Sequence, residues 1–157
     1  MGKKCLITFM LVCVLFVSKA NASMVSFLVV ETGLAQTVPV REYSMLWENS
    51  LMDAFFDAGY IVSNASILRL QREPQSGFPE EARVEMNEAV RGGADFFIIA
   101  ILDYDSAVWT ANSVSLQMFR LNPHEKIYER QLNARTVRPS HDSITAIVRE
   151  LIPYMNR

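Results

Sequence analysis

Few residues in this 157-residue chain are of a type and spacing suited to chemistry. Three carboxylates come first: Glu31 closes one apolar run, and Asp103 and Asp105 close another. If those runs are neighbouring parallel strands, all three acids gather at one end of a sheet, where open α/β sheets hold their ligands. Carboxylates placed so could bind a hard divalent metal or divide acid and base work. No further ligand spacing accompanies them, and acidic residues also end strands simply by staying solvated. The two histidines, His124 and His141, stand at no spacing that pairs them with a nucleophile, and there is no G-x-S-x-G turn. Each reads as a solvated surface residue. The sequence therefore leads us to expect no catalytic residue, no metal ligand and no cofactor.

Residues suited to binding are more numerous. Arg120, Arg130, Arg135 and Arg138 fall within twenty residues of one another, in a hairpin and its exit. They could meet an acidic partner, or serve as edge charges that discourage sheet-to-sheet aggregation. Trp109 lies between two strands and could anchor a partner or a small ligand, or fold back over the sheet end. Glu81, Glu85 and Glu88 share one face of a helix, with Arg91 three residues beyond Glu88 to offset their repulsion.

The elements that must position these residues begin after residue 22. Lys3 and Lys4 precede an apolar run, Cys5 to Val17, and Ala20-Asn21-Ala22 supplies the small residues of a cleavage site. That order is a cleavable export leader over 1–22, too short in its apolar part to span a bilayer as a helix. Both cysteines lie in it, and neither sits at a lipoprotein cleavage point, so no lipid anchor, disulfide or thiolate chemistry is expected in 23–157. Removing Lys3, Lys4 and Lys19 moves the formal charge from −2 to −5 and leaves Lys126 as the sole lysine. That balance opposes nucleic-acid binding. The leader implies a periplasmic or secreted location, and the missing disulfides favour a bacterial periplasm. The length of 23–157 suits one globular domain with no membrane span.

Within it, Met24 to Glu31 is apolar on both faces and reads as a strand covered on both sides. Arg41 to Ala58 carries an apolar stripe through Tyr43, Leu46, Trp47, Leu51, Ala54 and Phe55, with Phe56 off the stripe as a cap for a second layer. Gly59 closes that helix and Tyr60 to Ser63 is a second strand. Asn64 to Gln71 is ambiguous, with Ile67, Leu68 and Leu70 placed for a short helix. A helix opens at Pro79 and runs to Arg91 with Ala82, Met86, Ala89 and Val90 inward, and Asp95 to Tyr104 is a central strand. Val114 to Leu121 and Ile127 to Arg135 form a hairpin around a five-residue loop, 122–126. Val114, Leu116 and Met118 face the core there, and Arg130 intrudes on the apolar phase of Tyr128 and Leu132. Ser140 caps a last helix with the stripe Ile144, Ile147, Val148, Leu151 and Met155. The order β-α-β-(α)-α-β-β-β-α implies an α+β or α/β fold, a mixed sheet of about five strands packed by three helices.

Four of these features carry a resemblance. They are the strand Phe27 to Thr32, the segment Leu51 to Val62 (LMDAFFDAGYIV), the strand entry Arg91 to Ile99 (RGGADFFII), and the strand pair from Val114 to Tyr128 before a terminal helix. Together the chain resembles a group of bacterial envelope domains: the amino-terminal domain of the Tol translocation protein TolB, the curli-secretion lipoprotein, and the lipoprotein activators of penicillin-binding proteins. The resemblance implies a role in docking another envelope protein. The function expected is a non-enzymatic, exported accessory module of the cell envelope. A small metal-dependent hydrolase built on Glu31, Asp103 and Asp105, and a small-ligand carrier with a pocket beside Trp109, are the alternatives.

Overall fold

The computed structural model describes residues 22–34, 40–71, 78–104 and 111–156. Its elements are β1 (Met24–Thr32), α1 (Glu42–Asp57), β2 (Ile61–Asn64), β3 (Leu68–Leu70), α2 (Glu80–Arg91), β4 (Phe96–Asp103), β5 (Ser113–Leu121), β6 (His124–Asn133), a 3-10 turn (Ala134–Thr136), α3 (His141–Arg149) and α4 (Ile152–Met155). The strands form one mixed sheet in the order β2-β1-β4-β5-β6, with β3 also on β1. β1 is parallel to β2, β3 and β4, whereas β4, β5 and β6 are antiparallel in turn.

Period-two alternation sends each strand's side chains to two different cores. On the first face, Val25, Phe27 and Val29 of β1 join Phe96, Ile98, Ala100 and Leu102 of β4 and Val114, Leu116 and Met118 of β5. α1 and α3 cover them with Trp47, Leu51, Phe55, Ile144 and Val148. On the second face, Leu28 and Val30 join Phe97, Ile99 and Ile101, then Phe119 and Leu121. Only α2 lies over this face among the described residues. It meets the sheet through Ala82 and Ala89, side chains small enough to let the helix come close.

The termini of these elements follow from local chemistry. Gly59 and Gly93 take the positive φ (87° and 83°) that ends α1 and α2. The Ser140 hydroxyl accepts from the Ser143 N–H at the start of α3, the capping bond expected of it. Gly33 also has a positive φ, and a Cβ there would lie 2.1 Å from the Tyr104 carbonyl oxygen. Only glycine lets the chain leaving β1 pass so close to the end of β4.

Four local expectations change. The segment Leu68–Leu70, placed for a short helix, is a strand that extends the β2 edge along the later half of β1. Three apolar residues in four fit either period, and the free edge of β1 decides for strand. The hairpin turn is only Asn122–Pro123, joined by a cis peptide, so His124, Glu125 and Lys126 belong to β6. Their polarity suggests a loop, but β6 is an edge strand that solvent reaches. A bulge at Ile127 of β6, between the Met118–Tyr128 and Phe119–Lys126 pairs, takes up the odd residue. Val90 is half exposed rather than inward. Phe56 caps no second layer and is 71% exposed.

Candidate functional site

Two regions bring polar side chains together next to the core. The first is the carboxyl end of β1 and β4, where the sequence placed an acidic site. These strands are parallel neighbours, with Thr32 opposite Asp103. The pleat nevertheless separates the acids. Glu31 lies in the phase of Phe27 and Val29 and turns towards α1, whereas Asp103 lies in the phase of Phe97 and Ile101 and turns to the other face. Each has its own structural bond. Glu31 is 0% exposed, and its Oε1 accepts from the Arg41 backbone N–H at 2.8 Å, which seats a carboxylate at the amino-terminal end of α1. Asp103 Oδ1 accepts from the Thr32 hydroxyl at 3.0 Å. Asp105 and Trp109 lie outside the described residues. Among those residues no group of three or more His, Asp or Glu side chains is placed to hold a metal ion.

Tyr104 lies close enough to Glu31 to feel its charge. Tyr104 and Ser44 share a hydrogen bond at 2.7 Å, and the buried Tyr43 hydroxyl lies against the Trp47 side chain. Burial raises the pKa of Tyr104 and of Tyr43, more strongly for Tyr104. At neutral pH both are therefore uncharged hydrogen-bonding groups and not bases. Glu31 Oε2 is buried and unpartnered. This end of the sheet fixes the entry of α1 and holds its polar atoms away from solvent.

The second region lies on the second face, between α2 and the β5–β6 hairpin. A groove of about 470 Å³ runs there. Its apolar wall is Phe78, Met86 and Phe119, and its rim is Arg83, Asn87, Gln117, His124, Lys126 and Glu129. The wall is ordered by ring contacts: Phe78 meets Phe119 edge-on at 5.2 Å, and His124 stacks on Phe119 at 6.0 Å. His124 Nε2 lies 3.5 Å from the Met86 sulfur, joining hairpin to helix at the turn end. Lys126 pairs with Glu129 at 2.5 Å across the rim. Beyond the groove the face is polar, with Ser113, Ser115, Gln131 and Asn133 exposed or partly so. β6 closes the sheet order, so among the described residues its outer edge has no neighbouring strand.

The hairpin arginines do not converge. Arg120 sits at the turn end, 3.6 Å from Glu125. Arg130 lies on the first face opposite Leu116, as its phase predicts, hydrogen-bonded with Tyr128 and paired with Glu150. Arg135 lies at the far end, bonded to Asn112 at 3.3 Å. Arg138 is exposed and makes no ion pair among the described residues. Glu88 and Arg91 form the expected pair at 2.6 Å. The groove residues had a sequence cue that is easily passed over. In β5 the outward phase runs Ser113, Ser115, Gln117 and then turns apolar at Phe119 and Leu121, marking where an apolar floor begins.

No protein-family model and no curated protein matches this chain. Solved structures similar to it include a single-substitution PelC dodecamer from Paraburkholderia phytofirmans, at 10% identity and a TM-score of 0.46, covering 87% of this chain and 90% of that one. TolB from Acinetobacter baumannii is similar at 11% identity and a TM-score of 0.48, over 87% of this chain and 28% of that one. The hypothetical protein CT253 from Chlamydia trachomatis is similar at 13% identity and a TM-score of 0.43, over 85% and 98%. The resemblance to TolB read from the sequence recurs here as a likeness of fold.

Proposed function

We propose that this protein is an exported, non-enzymatic accessory module of the bacterial envelope that docks another envelope protein on the part of its sheet's second face that no described residue covers. The observation that carries this is the groove between α2 and the hairpin, with an aromatic wall, a mixed-charge rim and a ten-residue strand edge beside it. An extended segment of the partner pairs its backbone along β6 and sets an apolar side chain against Phe78 and Phe119. Main-chain pairing gives affinity in this mode, and pockets for alternate side chains give selectivity. The leader over 1–22 supplies the address, and no helix among the described residues is long and apolar enough to cross a membrane.

The test is recovery of the partner from envelope extract by the purified protein. Native protein is expected to return one specific partner, and Asn87→Arg or Gln131→Arg to lose it while the circular dichroism spectrum stays unchanged. Recovery of no specific partner, or undiminished recovery by both variants, contradicts the proposal.

A further inference from the structure

A second surface stands apart from the groove, on the outer side of α1. The core side of this helix is set by Tyr43, Trp47, Leu51, Ala54 and Phe55. On the opposite side, Met45, Met52 and Phe56 are 49%, 38% and 71% exposed. Their spacing of seven and four places them on one line along the helix, spanning roughly 16 Å at 1.5 Å per residue. Single exposed apolar side chains are ordinary, but these three form an aligned row on the solvent side of one helix.

Charge says what fits it. All the ionisable side chains flanking this row on α1, Glu42, Glu48, Asp53 and Asp57, are acidic, and the helix has no basic residue. Phe56 also borders a groove of about 680 Å³ between α1 and α3, lined by Asp53, Asp57, His141, Asp142, Thr145 and Arg149. Asp53 meets His141 at 2.9 Å, and Asp57 meets Arg149 at 3.2 Å. Three carboxylates there face one guanidinium and one imidazole. Thr145 borders the groove and is only 6% exposed. A second copy of the chain is disfavoured here, since α1 against α1 sets carboxylate against carboxylate.

We propose that this surface binds a basic amphipathic helix of a partner protein. Its apolar side lies along Met45, Met52 and Phe56, and its lysines or arginines reach Asp142 and Asp57. The protein then has two docking surfaces, one taking an extended strand and the other a helix.

The probe is a synthetic helix of about 14 residues, with leucine on one side and lysine on the other, titrated into 13C-methyl-methionine protein. The Met45 and Met52 methyl resonances are expected to move, and those of buried Met118 to stay. Phe56→Ser is expected to weaken binding at least ~tenfold, as loss of an anchor side chain does. Raising salt from about 0.05 to 0.5 M is expected to weaken it further by screening. Because these side chains are exposed, Phe56→Ser and Met52→Ser keep the fold, and either variant reads out the surface. Asn87→Arg, which blocks the sheet groove, leaves peptide binding unchanged, so the two docking proposals fail separately. Equal binding of a glutamate-for-lysine peptide, or binding indifferent to Phe56→Ser and Met52→Ser alike, overturns the proposal. So does a shift of the Met45 and Met52 resonances with protein concentration alone, which would show a second copy as occupant.

Discussion

The two faces of this sheet come from the same strands and are finished differently. The first face carries two helices and buries Trp47, Phe55 and Ile144 completely. The second carries one described helix, which stands on two alanines and leaves a groove where β5 and β6 pass beyond it. Strand alternation alone makes both faces apolar near β1 and β4. What differs is the hairpin, whose second-face residues change from Phe119 to Gln117, Ser115 and Ser113. The first face is filled by two helices, and the described residues leave part of the second face open.

Substitutions can break this contrast in order of size. Trp47→Ala on the closed face is expected to cost about 4 kcal/mol in denaturant unfolding, as large-to-small changes in a full core do. Phe119→Ala is expected to cost about 2 kcal/mol, below the full-core range because the groove already deprives it of neighbours on one side. Equal losses at the two sites would mean the faces are equally filled.

Alkaline pH probes the buried hydroxyls at the sheet end. Burial raises the tyrosine pKa in the folded protein, while the unfolded chain titrates near the ordinary 10.0. Above that pH the unfolded state holds fewer protons, so stability is full below it and falls as pH rises through the folded pKa. The slope is about 1.4 kcal/mol per pH unit for each such tyrosine. Tyr104→Phe makes the fall shallower in unfolding titrations between pH about 9 and 11.5, whereas an unchanged slope would assign the effect to other groups.

Smaller effects sharpen the edges of the comparison. Ser140→Ala removes the cap of α3 and is expected to cost about 1 kcal/mol. Lys126→Glu on the groove rim is expected to change stability by no more than about 0.5 kcal/mol while reducing partner recovery, which separates binding from folding at one residue.

Much of the fold was legible because it rests on period. The doubly apolar run of Phe96–Asp103 could only be an interior strand, and the stripe of α1 gave its core side directly. The exceptions come where period carries little information. Leu68–Leu70 is too short to show one, and His124 to Lys126 are polar because they form an edge. The candidate site was less legible for a geometric reason. Glu31 and Asp103 are neighbours in sequence logic and in strand pairing, but a one-residue offset in phase places them on opposite faces. Phe78, Met86 and Phe119 come from three separate segments, and nothing in any one of them announces the others. Phe56 was visible as an off-stripe aromatic, but whether another layer covers it depends on the packing of α3.

The central claim is that a partner docks on the half-open face through the groove and the β6 edge. Its most direct test is photocrosslinking in cells, with a benzophenone amino acid placed singly at Asn87, Lys126, Gln131 or, as a control on the outer side of α2, Glu81. The expected result is one common adduct from Asn87, Lys126 and Gln131 and none from Glu81. An adduct from Glu81 equal to the others, or none from any of the three groove and edge positions, would contradict it.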